Sequence, residues 1–306
     1  MNKKNIIAAS VFVALTALPT QANIIFNFDY SSNTANEGFL DAVEGQARRD
    51  AMVTAGNLFS DLFGSYFSDS ATLDIAVTSS DDPNSGTLAS AGSNLASTCS
   101  NPGPGGCVIT EVVKTKLQTG VDANGAALDG SVDVNWGWNW NVDPNREAVY
   151  ANQEFDFFAA IFHELTHALG FSSIISLDGS GFFNDEWSMF DTFLQDKNGN
   201  KVIDNNFFLN QNTWDNIKEG GTGNGIFFGG ANAVAANGGQ LVGIYSPTTW
   251  QEGSSGSHID GGPFPTDMMK YDRDYGQETR TYSAVDVGIL TDLGYTRNVV
   301  TSVPEP

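Results

Sequence analysis

Apolar residues recur along the chain with two periods. Over residues 24–30 they alternate with polar ones after an initial Ile-Ile pair, which predicts a strand. Ala47, Ala51, Met52, Ala55, Leu58, Phe59, Leu62 and Phe63 then share one face at helical spacing, and Gly64 stands where that helix is expected to end. Alternation returns over 71–78 and closes in the turn Asp81-Asp82-Pro83-Asn84-Ser85-Gly86. Residues 87–106 are small and rich in Gly and Ser, and read as a loop. Residues 108–113 read as a strand, followed by a Gly/Ala-rich turn region. Residues 132–140 alternate Val and Trp with polar residues and form the next strand, its tryptophans on one face as core or cleft wall.

The densest apolar run follows. At about 100° per residue, Phe155, Phe157, Phe158, Ala159, Ile161, Phe162, Leu165, Ala168 and Leu169 cover most of a helix circumference. They leave one stripe of Asp156, Ala160, His163 and His167. A helix apolar nearly all round is buried, and its polar stripe lines a cleft. Asn152 is the expected N-cap, Glu154 and Asp156 place negative charge in the first turn, and Gly170 takes the left-handed position after the last turn. The run ends His163-Glu164-Leu165-Thr166-His167-Ala168-Leu169-Gly170-Phe171. Histidines four apart stand one turn above each other, so His163 and His167 can offer two nitrogens to one metal ion with Glu164 beside them, the arrangement for zinc-assisted hydrolysis.

Beyond it the periodicity weakens. Residues 190–203 predict a hairpin turning at Asp196-Lys197-Asn198-Gly199-Asn200. The oxygen spacing there hints at Ca2+, but the acidic twelfth residue of a calcium loop is missing, and a simple turn is the better reading. Residues 204–257 are rich in Gly, Asn and Ser, with apolar islands at 225–228 and 241–245, and predict no architecture. Residues 284–293 predict a helix capped by Ser283 and ended by Gly294. There is no internal repeat, heptad run or clear interdomain linker.

With 306 residues, 41% of them hydrophobic, the chain can build one large domain or two small ones. Lys3 and Lys4, an apolar run over 6–18 and Pro19-Thr20-Gln21-Ala22 read as a signal peptide (1–22), the run being short for a membrane span; an N-terminal anchor is the alternative, and the chain is expected to be exported and secreted. Its net charge is −22, and removing residues 1–22, with two lysines and no acid, makes it −24. Such a surface repels nucleic acid and anionic membranes and favours solubility. Cys99 and Cys107 flank a turn-rich loop and are expected to form a disulfide; two free thiols, or a thiolate on a latent metal site, are the alternatives. The end, Val303-Pro304-Glu305-Pro306, resembles the opening of the PEP-CTERM sorting signal. The apolar helix and basic cluster of that signal do not follow, so no membrane anchor is expected in this chain.

A catalytic zinc site commonly has three protein ligands and an open position. The chain contains three histidines; the third is His258, with Met269 eleven residues beyond it. Here the chain resembles the metzincin zinc peptidases, whose H-E-x-x-H-x-x-G precedes a third histidine and a methionine turn. Most metzincins place that histidine three residues after the glycine, where this chain has Ser173. The H-A-L-G-F exit and the long segment before His258 resemble leishmanolysin-like members. The resemblance implies an α+β metzincin-like fold: a twisted mixed sheet with two long helices over about 23–171, a zinc cleft, and an irregular C-terminal subdomain over about 172–300 with one helix. It implies one catalytic Zn2+ on His163, His167 and His258, with Glu164 as general base, Met269 as the turn methionine, and Tyr271 as either an oxyanion group or a packing residue. The implied function is a secreted zinc metalloendopeptidase that hydrolyses protein or peptide substrates by a zinc-activated water. Residues 132–140 are the expected cleft edge. Glu186, nineteen residues after His167, and Asp272 of Asp272-x-x-Tyr275-Gly276 are the competing third ligands. The competing functions are an exported matrix or adhesion protein with a structural zinc, and a zinc hydrolase of non-peptide amides or esters.

Overall fold

The first alternating segment is strand β1 (Ile24–Asp29), and the helix after it, α1 (Gly45–Tyr66), returns the chain to β2 (Ala71–Ser80), parallel to β1 with Ile24 beside Ala71. The computed structural model describes residues 23–181 and 185–298. The signal-peptide segment 1–22 and the Val303-Pro304-Glu305-Pro306 end lie outside the described residues. Gly64 does not end α1; the helix continues through it to Tyr66, and Phe67 leaves in extended conformation. An interior glycine costs about 1 kcal/mol, and burial of Phe63 and Phe67, stacked at 4.9 Å, offsets it.

The segment read as a loop contains two strands, β3 (Ala89–Ser93) and β4 (Leu95–Gly103). Strand β5 (Gly106–Glu111) pairs antiparallel with β4, and Val112 and Val113, expected at its end, instead begin α2 (Val112–Thr119). Strand β6 (Gly130–Asn135) stops short of the tryptophans: Trp136 and Trp138 lie in the turn that follows it, and Trp140 begins the two-residue β7 (Trp140–Asn141). They therefore share no strand face. The main sheet runs β1-β2-β6-β3; β6 is parallel to β2, and β3 is antiparallel to β6 with Ala89 opposite Val134. The edge strand beside the cavity is β3, and 132–140 is not an edge.

Next come β8 (Phe155–Asp156) and the metal-motif helix α3 (Phe157–Ala168), every residue of which is buried. Leu73, Ile75, Val77, Val132 and Val134 of the sheet, Phe59 and Phe63 of α1, and Phe158, Ile161, Phe162 and Leu165 of α3 belong to one core, with Phe59 edge-on to Phe162 at 5.9 Å. Two helices held by a shared core against one sheet fix where α3 presents its stripe.

The C-terminal half is short pieces: β9 (Glu186–Trp187), β10 (Leu194–Gln195), α4 (Gln211–Ile217), β11 (Ile226–Phe228), α5 (Ala231–Ala236), β12 (Val242–Ile244) and α6 (Ala284–Asp292). Among the described residues three α-helices stand here where one was expected, and β10-β11-β12 form a small antiparallel sheet. The expected 190–203 hairpin is reduced to one bridge, Gln195 to Lys201, after a 3-10 turn. At its tip Asp196 accepts from the Asn198 and Asn200 amides, which is turn chemistry. Helix α6 begins at Ser283 with a reciprocal Ser283/Asp286 capping box, and Gly294 takes the left-handed conformation behind it. Among the described residues no helix is long and apolar enough to cross a membrane.

Cys99 and Cys107 are joined in a disulfide between β4 and β5, leaving no thiolate for a latent metal site among the described residues. Non-reducing digestion of native protein should yield one linked peptide pair, and reduction should cost about 2.5 kcal/mol of stability for so short a loop. Quantitative alkylation of both thiols in the native protein would contradict the pairing.

Candidate metal centre

The N-cap of α3 is Asp156, not Asn152. Asn152 lies in a separate 3-10 turn, Gln153 is left-handed, and Glu154 is drawn away into a pair with Arg146 at 2.6 Å. Asp156 Oδ1 accepts the Phe158 and Ala159 amides at 3.1 and 3.2 Å. Its buried charge is matched by Arg280, at 2.7–3.1 Å, and by Gln277 Nε2 at 2.6 Å. Asp156 therefore serves the helix terminus, and Ala160, His163 and His167 are the part of the expected stripe that lines the cavity.

Below His167 the backbone reverses at Gly170, φ +91°, where a Cβ would fall 2.8 Å from a Glu111 carboxylate oxygen. Only glycine fits there. The reversal brings the Phe171 carbonyl 2.7 Å from His167 Nδ1, which gives the Leu169-Gly170-Phe171 exit a physical role. The third histidine arrives from the far end of β12. Tyr245 N donates to the His258 carbonyl at 2.8 Å, and His258 Nδ1 donates to the Ser254 carbonyl at 2.8 Å. His163 Nδ1 faces the Met268 carbonyl at 2.8 Å.

With each Nδ1–H spent on a backbone carbonyl, each Nε2 is left as an acceptor. The three Nε2 atoms of His163, His167 and His258 lie 3.1 Å from one another in every pair. Three inward lone pairs without a proton between them repel, and one shared cation removes the conflict. Nitrogens bound tetrahedrally at about 2.0–2.1 Å stand about 3.3–3.4 Å apart, so the group fits a metal ion without rearrangement. Held carbonyls behind each imidazole are the outer partners that fix ligand orientation.

Burial holds His167 down to about 4, His258 down to about 3, and His163 well below the usual imidazole range, with Arg273 adding to the effect on His163. All three are neutral near pH 7, as ligation requires. Protons compete with the metal only below these values, so affinity is full above them and lost as pH falls through about 4. In Glu164→Gln protein, which lacks the adjacent titrating carboxyl, metal affinity should change less than about threefold between about pH 7.5 and about pH 5.5. Imidazoles at the ordinary value of about 6.5 would lose about tenfold each over that range, roughly a thousandfold together. Calorimetric titration at the two pH values separates the cases.

Glu164 is buried beside the group and lines the same cavity. Burial pushes its carboxyl up to about 8, opposed by Arg273 and by a hydrogen bond from the Ala91 backbone amide of β3. The cavity, about 600 Å³, is bounded by residues 86–91 on the β3 side and by Trp138, Phe155, Tyr271, Asp272 and Arg273. Tyr271 is in the wall, its ring stacked on Tyr245 at 3.6 Å. Met269 is buried in the core, and its carbonyl accepts the Ile259 amide at 2.8 Å. The turn's contribution to the centre is the neighbouring Met268 carbonyl. Of the competing ligands, Glu186 lies beside the disulfide, Oε1 3.6 Å from Cys99 Sγ, and Asp272 is at the cavity rim near Lys270; neither belongs to the three-histidine group.

Sequence reasoning missed Arg273, whose Nη2 donates to the Met268 carbonyl and lies 2.7 Å from His163 Nδ1, with Glu278 at 3.4 Å from Nη1. It also missed Asp156 as cap and β3 as cavity edge. The signal for Asp156 was present, since an Asp directly before an apolar helical run is a cap signature. No protein-family model matches this chain, and no curated protein does.

Proposed function

We propose that this chain is a zinc-dependent endopeptidase of metzincin-like architecture, hydrolysing peptide bonds with Glu164 as general base. The observation that carries the reading is three imidazole nitrogens converging at 3.1 Å, with the buried carboxyl of Glu164 on the helix that holds two of them, inside a cavity lined by an edge strand of the main sheet. Imidazole donors suit zinc, and three ligands facing an open cavity are the pattern of a catalytic rather than a structural site. A mixed sheet with an antiparallel edge strand, two helices packed on it and a third histidine entering from an irregular C-terminal half support the metzincin resemblance.

Zinc, when bound, supplies Lewis acidity that activates a water and polarises the scissile carbonyl. The chain's own residues do the rest. Glu164 takes a proton from the attacking water at its carboxylate and passes it to the leaving amine, and the Ala91 amide orients that carboxylate. The part of edge strand β3 that lines the cavity, Ala89–Ala91, is where an extended substrate would add as a further strand. Burial of the histidines excludes water from all but the open side.

The test is digestion of a mixed protein substrate by purified protein before chelation, after it, and after zinc is restored. Fragments released, lost and regained in that order support the reading. A protein that loses stability on chelation but never releases fragments has a structural zinc, and one that cleaves only ester or non-peptide amide probes has another substrate.

A further inference from the structure

A second cavity, about 300 Å³, lies on the outer face of the small β10-β11-β12 sheet and shares no lining residue with the metal cavity. Ile226, Phe228, Val242 and Ile244 are buried, so the alternate positions Phe227 and Gly243, which are register partners, face outward. The row continues to Asp260, whose amide donates to the Gly243 carbonyl at 2.9 Å. Phe227 and Asp260 thus stand two strand spacings apart, about 10 Å, with only a glycine between them. The missing side chain leaves a notch. Leu241 and Phe264, both half-buried, are its other apolar walls, and the exposed Thr222 and Pro263 mark its open side.

Asp260 is nine-tenths buried and lines this notch. Its Oδ1 accepts the Gly262 amide at 3.2 Å. Oδ2 lies 3.9 Å from where a Cβ on Gly243 would stand, and no donor among the described residues reaches it. Lys270, on the adjoining segment, is spent on Glu278 and Asp272 at 3.5 and 3.7 Å. A mostly buried carboxylate without a cation costs the folded chain free energy, and a cation arriving from solvent removes that cost. We propose that the notch binds a small organic cation, an ammonium group on an apolar stem. The ammonium pairs with Asp260 Oδ2, and the stem lies over Gly243 against Phe227, Leu241 and Phe264. The cavity is at the lower end of the range for small-molecule sites, so it takes one group the size of a side chain. Such a group can come from a free amine or from a lysine side chain of a peptide. Neither needs the metal, and the inference stands apart from the peptidase reading.

The experiment titrates full-length, zinc-loaded protein with phenethylammonium, with the uncharged phenethyl alcohol, and with N-acetyl-lysine amide, following backbone amide shifts by NMR. Phenethylammonium should bind with a Kd of about 1 mM or tighter and move the Phe227 and Gly243 amides while those of His163 and His167 stay in place. The alcohol should bind about ten- to a hundredfold more weakly, the scale of a hydrogen bond to a charged group. Asp260→Asn should weaken the ammonium by the same factor and leave the alcohol unchanged. Gly243→Val should block both, since a Cβ there meets Asp260 Cβ at an ordinary 3.4 Å and fills the notch without backbone strain. The same shifts with N-acetyl-lysine amide assign a peptide side chain as the source; binding of phenethylammonium alone assigns a free amine. Equal affinity of Asp260→Asn and wild-type protein for phenethylammonium would reduce the effect to attraction by the acidic surface and overturn the proposal. Shifts confined to the histidines would mean amine ligation of zinc, and would overturn it as well. Should either variant fail to fold, equal binding of ammonium and alcohol by the wild-type chain is the overturning result.

Discussion

His258→Ala is expected to empty the metal centre of a chain that still folds, and to abolish hydrolysis. His258 supplies one of three nitrogens that meet at 3.1 Å, and the other two lie on one helix, where they reach the ion from one side only. Loss of an outer partner of a ligand costs about 10–100-fold in metal affinity, so loss of the ligand itself must cost more. The fold should survive because the His258 backbone, not its side chain, ties the segment to β12: Tyr245 N donates to the His258 carbonyl, and Ile259 sits between Ile244 and Lys270. Glu186→Ala and Asp272→Ala should keep the metal, since Glu186 lies against the disulfide and Asp272 at the exposed rim. Zinc per chain in the three folded variants is the measurement. One zinc and undiminished peptide cleavage in His258→Ala protein would overturn the assignment and favour whichever carboxylate variant had lost its metal.

How far the centre was legible in the sequence follows from which groups build it. His163, Glu164 and His167 were readable because the helix period places residues four apart on one face. His258 was readable only because the chain offers a single further histidine. What fixes the imidazoles was not readable: the carbonyls of Phe171, Ser254 and Met268 belong to the backbone and carry no residue signature. Strand β3 hides for a different reason. Ala, Ser and Gly have low intrinsic strand preference, and Ala89–Ser93 is extended because β6 supplies its hydrogen-bonding partner. The C-terminal half defeats periodicity by length, since strands of two or three residues such as β10, β11 and β12 are shorter than any window in which alternation can be recognised. Helix α6 was legible despite the same surroundings because Ser283 and Asp286 form a capping box whose spacing is local.

Glu164→Gln should retain one metal per chain and lose about 10²- to 10⁴-fold in turnover, the scale of general-base catalysis. Gln is nearly isosteric with Glu and can still accept the Ala91 amide, so the change removes the proton acceptor with little loss of packing. Glu164 stands outside the three-histidine group, so metal content should not follow the activity. The pH profile gives an independent check with a definite sign. Burial raises this carboxyl to about 8 even with Arg273 opposing the rise; a dication on His163 and His167 would draw the value down, because opposite charge favours the ionised form. The base works ionised, so the wild-type rate should rise with pH through a limb that lies below about 8 and be lost as pH falls through it. The residual rate of Glu164→Gln should lack that limb. A Glu164→Gln protein that cleaves peptide at the wild-type rate, or one that has lost its zinc along with its activity, would place the role of Glu164 elsewhere: in the first case outside the reaction, in the second among the ligands.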